Sequence, residues 1–280
     1  FIDFVDIPFT KGWVQIKGEL AYGKFMDNDF LRDHYNYYNQ YITTDALYHH
    51  KSISFRSNPD KPFVVTIGAE LAAQFGGTKR YYEKGILIDS LTMKSPTRLK
   101  DFFKILFPSS GDGQTNEGDQ AYYYGNHVGQ WNLSAEYRFK DNSSVRGYFE
   151  WYFDDASGMG KFNGWDGLWG LEYKSGKKNW LSNVVLEYLD MTNQSGPLNW
   201  CPSDYNDPKL DIEATGADDY YNNYFYNGWA HYGLSNGTAM AKSLLYNTDG
   251  YMRYKHNRIR GVHLGAVSYT HLRAHETKAN

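Results

Sequence analysis

The sequence predicts an antiparallel all-β fold patterned like an outer-membrane β-barrel. Three features carry that expectation: apolar and polar side chains alternate with a period of two, the strands are long, and short connections alternate with long ones. Composition agrees. Of 280 residues, 26 are Tyr, 8 Trp, 16 Phe and 27 Gly, against 8 Pro, a mixture that suits strands and turns.

Taken in order, Val14, Ile16, Gly18, Leu20 and Tyr22 alternate with Gln15, Lys17 and Glu19. A long connection is expected over residues 24–50, and a short turn at Asn58–Pro62. Val65, Ile67, Ala69, Leu71, Ala73 and Phe75 then oppose Thr66, Gly68, Glu70 and Gln74. The long segment 76–126 holds one helical stretch, Pro96–Phe107. There Phe102, Phe103, Ile105 and Leu106 form an apolar face and Pro108 stops the helix. The helix is expected to pack against the barrel mouth.

The clearest pattern runs from His127 to Lys140, where Gly129, Trp131, Leu133, Ala135, Tyr137 and Phe139 interleave with polar residues. After the turn at Lys140–Ser143, Val145, Gly147, Phe149, Trp151 and Phe153 return on the apolar side, making a hairpin. Glu136, Arg138, Arg146 and Glu150 form a charge ladder on its polar side. A medium loop, 154–165, leads to Trp169, Leu171 and Tyr173. A short turn at 175–178 leads to Val184, Leu186 and Tyr188, and a long loop covers 191–221. Further strands are expected near Tyr220–Gly233 and Tyr251–Gly265, for a total of eight or nine.

Alternation alone also fits a soluble sandwich, with one face buried and the other wet. Strands of about 9–12 residues suit a tilted membrane crossing, whereas soluble strands average about 5–6. Aromatic residues near strand ends suit interfacial girdles. Short turns alternating with long loops suit periplasmic and external ends. The barrel is therefore the expected architecture.

The net charge is −3 and the 29 basic residues are scattered, which leaves no electrostatic footprint for nucleic acid. Mean hydropathy is −0.67, with no run of about 18 apolar residues, so helical membrane spans are excluded while a barrel is not. The lone Cys201 supplies no internal disulfide and reads as a structural thiol. The chain opens at Phe1 without signal-peptide features. Ser268–Thr277 (SYTHLRAHET) resembles translated sequencing adapter, so 1–266 is expected to form part of one barrel domain and 267–280 a non-native tail.

The strings YHHKS (Tyr48–Ser52), ELAAQFGG (Glu70–Gly77), GNHVGQW (Gly125–Trp131) and WDGLWGLEY (Trp165–Tyr173) occur in that order. NNYFYNGWAHYG (Asn222–Gly233) and NRIRGVHLG (Asn257–Gly265) follow. Together they resemble the Wzi capsule-assembly family in its Bacteroides-type form, over most of residues 10–266. The resemblance implies a barrel of about eighteen strands in the Gram-negative outer membrane, of which eight or nine strands are about half. It also implies a non-catalytic, lectin-like role in retaining capsular or other surface polysaccharide, by a protein expected to be monomeric and without cofactor.

Saccharides are held by flat aromatic faces and by carboxylate or amide partners. Candidates in the expected external loops are Tyr37, Tyr38, Tyr123, Trp165, Asp166, Asp219, Tyr220 and Tyr224, with Tyr35, Tyr122, Tyr124, Asp218 and Tyr221 beside them. No catalytic or metal site is expected. His49 and His50 are adjacent on a strand and point to opposite faces, and the pairs Asp154-Asp155 and Asp218-Asp219 read as turn chemistry. Two rival readings are a porin or polysaccharide-export barrel, and a secreted β-sandwich enzyme acting on glycans.

Overall fold

The computed structural model describes residues 2–121, 123–154, 159–160, 164–177, 180–194, 199–200, 213–214 and 219–268. Its early elements are β1 (Ile2–Asp6), β2 (Val14–Lys24), α1 (Asn28–Tyr35), β3 (Gln40–Ser57) and β4 (Phe63–Glu83). The short strands β5 (Ile86–Leu87) and β6 (Met93–Lys94) follow, then α2 (Leu99–Leu106) and α3 (Glu117–Ala121). Four longer strands come next: β7 (Asn126–Arg138), β8 (Ser144–Asp154), β9 (Gly167–Lys174) and β10 (Asn183–Asp190). Beyond the two-residue strands β11 (Asn199–Trp200), β12 (Glu213–Ala214), β13 (Ala230–His231) and β14 (Leu234–Ser235) lies β15 (Arg260–Val267).

The wall is one antiparallel sheet in the order β1-β2-β3-β4-β7-β8-β9-β10-β15, with β5 and β6 paired to the upper part of β4. Directly opposed residues share a face, so register defines the two surfaces. One cross-sheet row joins Gly18, Ile53, Ala69, Trp131 and Trp151. Another joins Leu171, Leu186 and Leu264. These rows lie on one apolar face that is open to the surroundings: Ile67 is 49% exposed, Leu171 53% and Leu264 71%. The opposite face carries Glu19, His50, Glu70, Gln130, Glu150, Glu187 and His263, and it is concave, since residues from β2 through β15 line one shared cavity. Among the described residues β1 and β15 do not pair, so the sheet is open rather than closed.

Short connections (7–13, 58–62, 139–143 and 175–182) lie at one end of the wall and long ones at the other. The structure revises several expected boundaries. Residues 40–50 belong to β3, so the connection after β2 is only about half the expected length. β4 runs on to Glu83, well past Phe75. The expected helix is α2, its first turn fixed by the Asp101 carboxylate accepting from the Arg98 N–H at 2.8 Å. α2 packs Phe102 and Ile105 on Phe75 and Ala73, toward the mouth end of β4 and on the apolar outer face shared with Ile67. Lys51, also on that face, donates to the Ile105 carbonyl at 2.8 Å and caps the helix C-terminus.

Tyr220–Gly233 is not a wall strand. It belongs to an irregular segment, 219–259, that crosses the concave mouth and holds the main core. Tyr220, Tyr221, Trp229, Leu244, Met252 and Tyr254 bury themselves against Leu31, Ile42 and Leu189, with Ala72, Val128 and Tyr152 of the wall packed beneath them. Apart from the short β13–β14 pair, this stretch, rich in Tyr and Asn, bonds much of its backbone to side chains such as those of Asp219 and Asn223 rather than in a ladder. That is why its aromatic spacing imitates a strand without forming one.

Candidate functional site

The concave face and the segment above it enclose a cavity of about 1130 Å³. Period-2 alternation turns Glu19, His50, Glu70, Gln130, Glu150, Glu187 and His263 into this space together with the apolar Ala21, Ala72, Val128, Leu168 and Leu189, so its floor is partly charged and partly apolar. His50 bridges two carboxylates, with Nε2 2.9 Å from Glu70 and Nδ1 3.5 Å from Glu19. Asn132 donates to the other Glu70 oxygen at 3.4 Å. Across the floor, Tyr148 donates to Glu187, whose second oxygen lies 2.8 Å from His263 Nδ1. Gly170 makes this possible: a Cβ there would sit 2.0 Å from the Tyr148 ring. The roof presents Tyr221, Trp229, His231 and Met240. Burial pushes the Tyr221 phenol above its ordinary pKa. Carboxylates, imidazoles and aromatic faces around one space suit a polyhydroxylated ligand.

In the expected charge ladder Arg146 stands in register between Glu136 and Glu172 and forms its ion pair with Glu172 at 3.1 Å, while Arg138 pairs with Glu136, two residues before it, at 3.0 Å. His49 and His50 do face opposite sides, with His49 against Tyr22 on the outer side and His50 over the cavity.

Seven of the eight expected saccharide residues divide into three groups, with Tyr123 apart from them. Asp166, Asp219 and Tyr220 brace the mouth. Asp166 is 1% exposed, and its carboxylate accepts from the Asn193 N–H (3.0 Å), the Gln194 N–H (2.7 Å) and the Tyr220 hydroxyl (3.0 Å). Asp219 accepts from the N–H groups of Tyr221 and Asn222 and from the Asn257 amide, an arrangement that folds the start of the crossing segment. Tyr220 is buried over the cavity.

Trp165 and Tyr224 are open. Trp165 is 72% exposed and tilts against Trp169 at 5.5 Å, and Tyr224 stands edge-on to Tyr41 at 5.6 Å. Tyr123 is half-buried just before β7. Tyr122, Asp218, Asp155 and Cys201 lie outside the described residues.

Tyr37 and Tyr38, in the turn between α1 and β3, line a second cleft of about 400 Å³ with Tyr251. Their rings stand edge-on, Tyr37–Tyr38 at 5.6 Å and Tyr38–Tyr251 at 5.0 Å.

Sequence reasoning passes over the residues that hold the mouth together. Gln74 donates to the Gly228 carbonyl at 2.6 Å, and Gln194 donates to the carbonyls of Met191 and Asn257 at 2.8 and 2.9 Å. Gln74 had a signal, being a polar residue at the top of a strand with inward parity. Gln194 and Asn257 had none, because their partners are distant in sequence. No protein-family model, no curated protein and no solved structure matches this chain.

Proposed function

We propose that the chain forms part of an outer-membrane β-barrel that binds surface polysaccharide without catalysis, in the manner of the Wzi capsule-assembly family its motifs resemble. The observation that carries the reading is the division of one long-stranded sheet into an open apolar face and a polar concave face. In water, a continuous exposed apolar face of this extent is a liability; in a bilayer it is the lipid-facing surface. Both sheet edges must then be paired, since unpaired backbone groups in hydrocarbon cost several kcal/mol each, so the reading calls for further strands beside β1 and β15.

The crossing segment favours retention of a ligand over conduction. It fills the mouth with a packed aromatic core where a porin keeps water, and it leaves a partly open space in which carboxylates and imidazoles stand beside apolar and aromatic side chains. Capsular or related polysaccharide at the Gram-negative cell surface is the proposed partner.

The test is fractionation of cells expressing the full-length protein, followed by gel migration with and without boiling. Sedimentation with outer membranes and faster migration of the unboiled form are expected. A protein that remains in the soluble fraction and migrates identically either way refutes the barrel and the capsule role together.

A further inference from the structure

We infer that the tyrosine cleft beside α1 is a subsite for acidic saccharide, with Lys84 as the group that selects the negative charge. The inference rests on the polysaccharide-binding reading and names the class of sugar. The cleft is bounded by Tyr37, Tyr38, Asn39, Lys84, Asp249 and Tyr251, drawn from three separate segments of chain.

Three properties of these residues point to a ligand. First, the tyrosines form an edge-on array, and Tyr37 remains 63% exposed, so flat ring surface is presented at an open site. Such surface suits the C–H face of a pyranose. Second, the Lys84 ammonium and the Asn39 amide have no ion pair or hydrogen bond among the described residues, although both border the cleft. The single carboxylate of the cleft is already engaged, because Asp249 pairs with Lys255, whose ammonium lies 5.8 Å from the Tyr251 ring. The free charge of the cleft is therefore positive.

Third, the walls are tied by hydrogen bonds of their own, independent of any ligand. Lys84 (φ 48°) and Gly85 (φ 84°) form the tight turn joining β4 to β5, and the Gly85 N–H donates to the Asn36 carbonyl at 3.0 Å. On the other side, the Asn247 amide donates to the carbonyls of Tyr251 (2.6 Å) and Arg253 (2.8 Å). A lysine in a left-handed turn that borders the same cleft as three tyrosines sits where a sugar carboxylate can reach it, and the Asn39 amide, without a partner among the described residues, can bond neighbouring hydroxyls. Preorganisation of this kind lowers the ordering cost of binding a flexible chain.

The experiment presents purified full-length protein with a glycan array of neutral oligosaccharides and their uronate- or sialate-bearing counterparts, alongside the variants Lys84→Gln, Lys84→Arg and Tyr37→Ala. Lys84 is exposed and has no partner among the described residues, so its variants should keep the wild-type denaturation midpoint. Preference for acidic glycans is expected. Lys84→Gln should weaken them by about tenfold or more, as loss of a charge-assisted hydrogen bond does. Lys84→Arg should keep the preference, and Tyr37→Ala should weaken acidic and neutral sugars alike. Glycan binding that ignores charge and survives Lys84→Gln overturns the subsite and leaves the polysaccharide reading standing. No glycan binding at all overturns both.

Discussion

Asn227 takes the place of a neighbouring strand for Thr43. Its Oδ1 accepts from the Thr43 N–H at 2.8 Å and its Nδ2 donates to the Thr43 carbonyl at 2.6 Å, both ends of the amide being buried. β2 ends opposite Leu47, so among the described residues the edge of β3 above that point has no strand partner on that side. One side chain of the crossing segment satisfies the backbone there and ties the segment to the wall. Asn227→Ala should leave two buried backbone groups unpaired and cost about 1–3 kcal/mol locally. Faster tryptic cleavage at Lys242 and Arg253, with the wall strands still protected, is the expected readout. Cleavage unchanged from wild type would show that the amide pair does not hold the segment.

That relationship also marks where the sequence stops being legible. The wall could be read because alternation is local: Trp131, Leu133 and Ala135 declare their shared face within six residues, and β7 forms with that parity. The Tyr220–Gly233 stretch could not, because its aromatic spacing resembles a strand while its N–H groups bond the nearby Asp219 and Asn223 side chains and partners as distant as Asp27 and Gln194. Thr43 and Asn227 are 184 residues apart. Among the site residues, Tyr37 and Tyr38 fall together in a cleft, but the partners that complete it, Lys84 and Tyr251, carry no local signal. Asp166 illustrates the reverse difficulty. A loop carboxylate beside Trp165 has the composition of a sugar site, yet it serves as a buried acceptor for three donors.

Asp166 and Tyr220 should therefore be coupled in stability. Tyr220→Phe removes one donor and Asp166→Asn removes the charge that attracts all three. A double-mutant cycle should give an interaction of about 0.5–3 kcal/mol, the range for residues in one hydrogen-bond network. The measurement is urea unfolding of the four proteins. Additive single effects would show that the 3.0 Å contact contributes nothing of its own.

The docking of α2 should be sensitive to acid. Lys100, the Gln114 N–H and Arg98 hold the Asp112 carboxyl below the usual range. Burial works against ionisation of Asp101, but the Arg98 hydrogen bonds and charge outweigh it and hold that group low as well. A carboxylate with a depressed folded pKa stabilises above its unfolded value, about 3.9, and loses that contribution as pH falls through the folded value. The helix should thus resist pepsin at pH 4.5 and be cut near Phe102 and Phe103 at pH 2. Arg98→Met should already be cut at pH 4.5. Equal resistance of the wild type at both values would mean the cluster does not secure the helix.

Ile67, Leu171 and Leu264 allow the two settings of the apolar face to be told apart by stability alone. All three are exposed, so in a water-soluble sheet an Arg at any of them meets solvent and changes stability by about 0.5 kcal/mol or less. In a bilayer the same side chain enters hydrocarbon, at about 2–4 kcal/mol near mid-depth and less toward the interfaces. Ile67→Arg, Leu171→Arg and Leu264→Arg, each refolded into lipid vesicles as the full-length protein and titrated with urea, should lose stability on the larger scale. The penalty should vary with the height of the residue between the turn end and the mouth. Three losses near zero would place this face in water and return the exposed leucines to the status of an unexplained apolar surface.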